Sequence, residues 1–225
     1  MIIYGKQIFL YILDKYPSLV EEIFLSKEID KKLFSKISSL KKPIVKLDAK
    51  KAQAMARGGN HQGFFMRIKE LGFSEFQSVK KSAFVVVLQA VTDVGNIGAI
   101  IRSAYALGVD AIIISGVKSL AIEALVRSSS GAIFEMPVVL YADTLSLLNE
   151  LKQSGFTTYA ATMDGEDIRE LEFMRKKALI MGSEGKGLPS RIIDRCDRKI
   201  AIKMQREFDS LNVGVATAII CDRMR

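Results

Sequence analysis

From residue 82 onward the apolar positions fall into short continuous runs separated by stretches of helical spacing. Phe84 to Leu88, Ala111 to Ile114, Pro137 to Leu140, Thr157 to Ala160, Ala178 to Met181 and Lys199 to Ile202 read as strands. Strands that stay apolar along their length and alternate with helices predict a mostly parallel sheet covered on both faces. Ile97, Ile100, Ile101, Ala104 and Leu107 form one helical face that ends at Gly108, and Leu145, Leu147, Leu148 and Leu151 form another before Gly155. The last helix, from about Leu211 to Met224, carries Val, Ala and Ile on most sides. Such a helix needs more than one cover, the sheet being one and a second subunit the candidate for another.

The first third is patterned differently. Ile8, Tyr11, Ile12 and Tyr16 stand at helical spacing, and short runs follow at Ile23 to Leu25, Lys31 to Ile37, Ile44 to Leu47 and Phe64 to Ile68. This predicts a small α/β unit. Gly72 to Lys81, weak in periodicity and rich in Ser and charge, reads as the linker. The expected domains are therefore 1–74 and 75–225.

Composition narrows the class. With 49% hydrophobic and 26% charged residues over 225 positions, the chain is globular, and no apolar run reaches the ~18 residues of a membrane span. Two cysteines, Cys196 and Cys221, fit neither a redox pair nor a metal-ligand spacing, so a reducing, cytoplasmic location without a bound metal is expected. The net charge of +8 is placed unevenly: residues 1–81 carry 16 Lys and Arg against 8 Asp and Glu, residues 82–225 carry 17 against 17. A basic excess confined to one end points to nucleic acid, although lysines also serve simply to solubilise a surface.

Three polar clusters follow predicted strands. Thr92-Asp-Val-Gly-Asn96-Ile-Gly98 precedes a helix carrying Arg102, off its apolar face; Asp93 or Asn96 could merely cap that helix. Gly182-Ser-Glu184-Gly-Lys-Gly187 has neither the spacing of a dinucleotide fingerprint nor the Ser or Thr of a phosphate loop, and a plain strand-to-helix turn explains it about as well. Ser210 and Asn212 open the last helix and could be its cap. Together the three occupy the carboxyl ends of strands, where open α/β sheets collect ligands.

Val91 to Ala104, Leu179 to Leu188 and Ile202 to Ala216 resemble, in order, the three motifs of SpoU-type RNA ribose 2′-O-methyltransferases of the SPOUT superfamily, and the basic segment from Tyr4-Gly5-Lys6 to His61-Gln62-Gly63 is similar to their small RNA-binding domain. The resemblance implies an α/β fold with a C-terminal trefoil-knotted parallel-sheet methyltransferase domain and a small N-terminal α/β RNA-binding domain. It implies S-adenosylmethionine as cofactor, RNA as substrate and a homodimer that assembles the site. Asn96, Arg102, Glu184, Ser210 and Asn212 match positions associated with catalysis and RNA binding. Gly182, Ile202 and Leu211 match cofactor contacts, with Thr162 and Met204 as neighbours. The implied activity is methylation of a ribose in RNA, a guanosine of 23S rRNA before a tRNA; a non-catalytic RNA-binding protein is the alternative. Val94 and Lys203 stand where the family usually has Pro, which alters loop rigidity without removing a reactive group. Gly214 stands where it has Ser, at a cost of about 1 kcal/mol relative to Ala inside the last helix and with room for close packing.

Overall fold

The computed structural model describes residues 1–225. In chain order the elements are β1 (Ile2–Tyr4), α1 (Lys6–Lys15), β2 (Val20–Leu25), α2 (Lys31–Ser39), β3 (Ile44–Lys46), α3 (Ala49–Met55), β4 (Phe64–Ile68), α4 (Phe76–Val79), β5 (Phe84–Gln89) and α5 (Val94–Ala106). They continue as β6 (Ala111–Ser115), α6 (Ile122–Ser128), β7 (Val138–Tyr141), α7 (Thr144–Gln153), β8 (Thr157–Asp167), β9 (Lys177–Met181), α8 (Ser190–Ile193), β10 (Arg198–Ala201) and α9 (Val213–Met224). Two compact units result: Met1–Gly72 with Ile122–Gly131, and Phe73–Ala121 with Ala132–Arg225. No helix is long and apolar enough to cross a membrane.

The first unit is built on a mixed four-stranded sheet in the order β1-β4-β2-β3, with β4 antiparallel to both its neighbours and β3 parallel to β2. Helix α1 buries Ile8, Phe9, Ile12 and Leu13, the spacing that puts one stripe of a 3.6-residue helix on a core. Tyr11 and Tyr16, expected on that stripe, are only half-buried, and their rings meet at a tilt with centroids 6.0 Å apart. Helix α6 belongs to this unit although its residues lie between two strands of the other sheet. Its Leu125 and Val126 are buried, and the Arg127 guanidinium sits 4.3 Å from the centre of the Tyr4 ring, a cation–π contact.

The second unit is the parallel sheet that the apolar runs predict, in the order β10-β8-β9-β5-β6-β7, with every neighbouring pair parallel. Strand β6 is buried at every position, as is β5 from Phe84 to Leu88, the pattern of strands covered on both faces. Asp93 and Asp143 cap α5 and α7, accepting from the amides of Asn96 and Ser146 at 2.7 Å each. The expected linker requires correction. Ser74 donates its amide to Val138 O at 2.8 Å, and Phe76 and Val79 of α4 are buried in the core beside Val139 and Leu148. Two apolar residues three apart suffice to bury one helical turn, and the polar residues around them mask that signal in the sequence.

Strand β8 runs seven residues past its expected end at Ala160. Its pairing with β10 jumps from Ala160↔Lys199 to Glu166↔Ile200, so residues 161–165 bulge out of the ladder. Gly165 makes the return possible, because a Cβ there would lie 2.5 Å from backbone atoms of Ile200. The bulge carries Thr162, Met163 and Asp164 to the sheet's carboxyl edge.

Candidate active site

A cleft of about 1040 Å³ opens at that edge. One wall is the bulge within β8, the second is the turn from Met181 to Leu188 after β9, and the third is the segment from Ile200 to Val213 that leads from β10 into α9. Met181, Leu188 and Ile200 are buried, whereas Met163 and Phe208 stand exposed. The turn after β9 folds back on itself: Ser183 O accepts from the amide of Gly187 at 2.9 Å. Gly182 has no room for a side chain, since a Cβ would sit 2.5 Å from Gly187 O and from Leu188 N.

Asn212 ties the three clusters together. Its side-chain amide donates to Asn96 Oδ1 at 3.0 Å and to Glu184 Oε1 at 2.6 Å. Its Oδ1 accepts from the amides of Gly214 at 2.9 Å and Val215 at 3.3 Å, which makes it the N-cap of α9. Both ends of one amide are therefore used, the oxygen for the helix and the nitrogen for partners 116 and 28 residues away. Glu184 Oε1 also accepts from the Val213 amide at 3.4 Å, placing a carboxylate at the positive end of α9. The capping alternatives raised for Asp93 and Asn212 are thus real, and for Asn212 the cap and the cross-loop bridge coexist.

Thr162, Gly182, Glu184, Ile202, Met204, Ser210, Leu211 and Asn212 all line the cleft. Asn96 reaches its mouth only through Asn212, and Arg102 does not line it at all. Arg102 is exposed on α5, six residues beyond Asn96 and so about 9 Å farther along the helix axis. Sequence reasoning missed Asp164, Met163, Lys186 and Phe208, which also line the cleft. For Met163 and Asp164 the cause was the pairing jump in β8, since a Thr-Met-Asp-Gly stretch gives no periodic signal; Lys186 and Phe208 lie inside two of the polar clusters already singled out. Thr162 Oγ1 is buried with no well-formed hydrogen bond, although the hydroxyl lies near enough to Asp164 to be the main influence holding that carboxyl below its ordinary range, ahead of Lys199 at 3.9 Å.

The two cysteines and the single histidine lie outside the cleft lining. Burial pushes the Cys196 thiol up to about 11 and Cys221 up to about 12, so neither supplies a thiolate near neutral pH. His61 makes a turn in the first unit: its Nδ1 accepts from the Gly63 amide at 3.0 Å and its ring lies 4.7 Å from that of Phe65. No group of three or more His, Cys, Asp or Glu side chains is gathered in a way that would hold a metal ion.

Residues 83–222 match the SpoU rRNA Methylase family, and residues 2–74 match a domain described as RNA 2′-O ribose methyltransferase substrate binding. An uncharacterised tRNA/rRNA methyltransferase of Borreliella burgdorferi is 30% identical over 210 residues, 87% of this chain and 90% of that protein. One of Archaeoglobus fulgidus is 31% identical over 162 residues, 69% and 72% of the two chains. Among solved structures, an AdoMet-bound rRNA methyltransferase of Sinorhizobium meliloti superposes with a TM-score of 0.79 at 24% identity, covering 99% of this chain and 85% of its own. A TrmH/SpoU tRNA modifying enzyme of A. aeolicus gives 0.56 at 28% identity, with 64% and 74% covered.

Proposed function

Because the chain belongs to the SpoU rRNA methylase family, and is thereby an RNA methyltransferase, we propose that it methylates the 2′-hydroxyl of a ribose, with a guanosine of 23S rRNA as target and S-adenosylmethionine as donor. The observation that carries this reading is the bridge from Asn212 to Asn96 and Glu184, which joins three sequence-distant turns at the mouth of one cleft. Ribosomal RNA is preferred to tRNA because the rRNA methyltransferase neighbour spans both units, whereas the tRNA-modifying one spans 64% of the chain.

The residues present fit the cofactor. A nucleoside needs an apolar slot with a few polar edges; Ile202 and Leu211 offer the first, and the buried hydroxyl of Thr162, which lines the same cleft, offers one of the second. When bound, S-adenosylmethionine supplies an electrophilic methyl group on a positively charged sulfur. Ile202, Leu211 and the buried Met181, which line the cleft, would hold the cofactor in apolar surroundings that disfavour a positive charge. Asn96, Glu184 and Asn212 hold the turns at fixed separation, so that donor and hydroxyl meet at reacting distance. Arg102 pairs with the RNA phosphate next to the target ribose. Its guanidinium keeps its own proton beyond pH ~12, so it eases ionisation of the hydroxyl while the proton leaves to phosphate oxygen or water. Ser210 orients the ribose.

Arg102 stands outside the cleft of its own chain, and a homodimer in which the second copy brings its Arg102 to the site resolves this. Supporting the dimer, Val215 and Ile219, one turn apart on α9, are 51% and 41% exposed, and α9 packs against α5, which carries the exposed Tyr105. Changing Val215 and Ile219 together to Glu is expected to give a folded monomer by light scattering, with methyl transfer lost. The reading also includes the trefoil knot, supported by the close passage of β10 over Gly165 and the doubled-back turn at Gly182. Residues 1–74 are assigned to RNA capture and 75–225 to methyl transfer, in the cytoplasm.

The test is transfer of labelled methyl from S-adenosylmethionine to 23S rRNA and to tRNA, followed by nucleoside analysis. A 2′-O-methylated guanosine in 23S rRNA is expected; methyl groups on bases, or on tRNA alone, would overturn the assignment. Arg102→Ala is expected to lower kcat by roughly 100- to 1000-fold while cofactor affinity stays within about twofold of the parent by calorimetry, since it lies outside the cleft.

A further inference from the structure

Positive charge in the first unit is concentrated in one stretch. From Lys31 to Leu47 there are six lysines and no acidic residue. They lie on α2, on the turn that follows and on β3, and all six are exposed. Lys36 alone of the six forms an ion pair, with Asp14. Strand β3 is also the edge of its sheet, with β2 on one side and no strand on the other.

Several of these residues are placed against local physical preference. Lys31 and Lys32 occupy the first turn of α2, which holds no acidic residue, although the helix dipole disfavours cations there. Lys41 follows the C-cap of α2 at φ +53, a left-handed position where Gly is usual because a Cβ is strained. Phe34 is 51% exposed and Val45 37% exposed within the same stretch. Residues placed against local preference are expected at functional sites, and here they share a segment with the unpaired lysines.

We infer that this α2–β3 edge is where the RNA strand docks, with Lys31, Lys32, Lys41, Lys42 and Lys46 against phosphates and Phe34 stacked on an unpaired base. The inference rests on the RNA substrate proposed above. Charge complementarity selects the partner: five unpaired cations on one continuous segment suit a polyanionic backbone, and an exposed aromatic among them suits a base of any sequence.

The experiment uses the full-length chain and transcribed 23S rRNA, with affinity measured across a salt series. Changing Lys31, Lys32, Lys41, Lys42 and Lys46 together to Gln is expected to flatten the slope of log affinity against log salt by about 3.5 to 4.5, at roughly 0.7 to 0.9 per lost phosphate contact. Thermal stability and S-adenosylmethionine affinity should hold. Phe34→Ala is expected to weaken binding by about 5- to 150-fold without changing the slope, because stacking releases no counterions. A control changing Lys6, Lys27 and Arg57 to Gln, elsewhere in the same unit, should keep the parent slope. The inference is overturned if the five-lysine variant keeps the parent slope, or if the control loses as much. Binding is read without methyl transfer, so a parent chain that binds RNA through this edge but methylates no ribose would sink the proposed function alone, and a methylating parent matched by the five-lysine variant at every salt would sink this inference alone.

Discussion

Replacing Asn212 with Ala is expected to lower methyl transfer by about 100-fold while the protein remains folded, because it frees three turns whose separation sets the reacting geometry and a misplacement near 1 Å costs that much. The loss has two parts that can be separated. Removing Oδ1 leaves the amides of Gly214 and Val215 uncapped, worth about 0.5–2 kcal/mol, or a fall in Tm of roughly 1–8 °C at this chain length. Removing Nδ2 leaves Asn96 Oδ1 and Glu184 Oε1 without the donor between them. Asn212→Asp tells the two apart. It keeps an oxygen to cap α9 but sets a second carboxylate where the donor stood, 2.6 Å from Glu184. The expected result is a Tm above that of the Ala variant at acid pH, and activity that recovers as pH falls, since two carboxylates in contact take up one proton between them. An Ala variant with full kcat would refute the bridge as the organising contact.

Gly182→Ala is expected to abolish cofactor binding, measured by calorimetry, and to lower stability by about 1–3 kcal/mol, the usual cost of forcing extra atoms into a filled site. The added Cβ would meet Gly187 O and Leu188 N at 2.5 Å. These are backbone atoms and no rotamer relieves them, so the turn from Met181 to Leu188 must open, and it is one wall of the cleft. At Gly185 the same change meets nothing within 4 Å and carries only the strain of φ +77. Gly185→Ala should therefore bind the cofactor with much less loss than Gly182→Ala, and equal losses would show that the turn's conformation matters more than its close approach.

The parallel sheet was legible because Phe84–Leu88, Ala111–Ile114 and Ala178–Met181 are short uninterrupted apolar runs, the first two rich in Val and Ile, that alternate with helical patterns. The start of α5 was legible only as a choice between two caps, Asp93 or Asn96, and the structure chose Asp93, whose carboxylate accepts from the Asn96 amide. Reading Gly72 to Lys81 as a linker failed because burial of Phe76 and Val79 depends on a neighbouring strand, not on their own spacing. The detour of β8 through residues 161–165 was hidden in the same way, since it is decided by where β10 can approach Gly165. So was the membership of α6 in the first unit, because packing with β1 joins residues more than a hundred positions apart.

Taken alone, the amino-acid order determined what short-range forces control: the cores of the parallel strands, the ends of α5 and α7 at Gly108 and Gly155, the basic first third and three polar turns that resemble, in order, the motifs of one methyltransferase family. Tertiary structure decided what depends on distant backbone meeting. It placed Asn212 in contact with Asn96 and Glu184, formed one wall of the cleft from the bulge within β8, and left Arg102 outside the cleft of its own chain. Local hydrogen bonds and periodicity act within a few residues, whereas these outcomes depend on which backbones can come within a side chain's width, and that is settled only when the sheet has assembled.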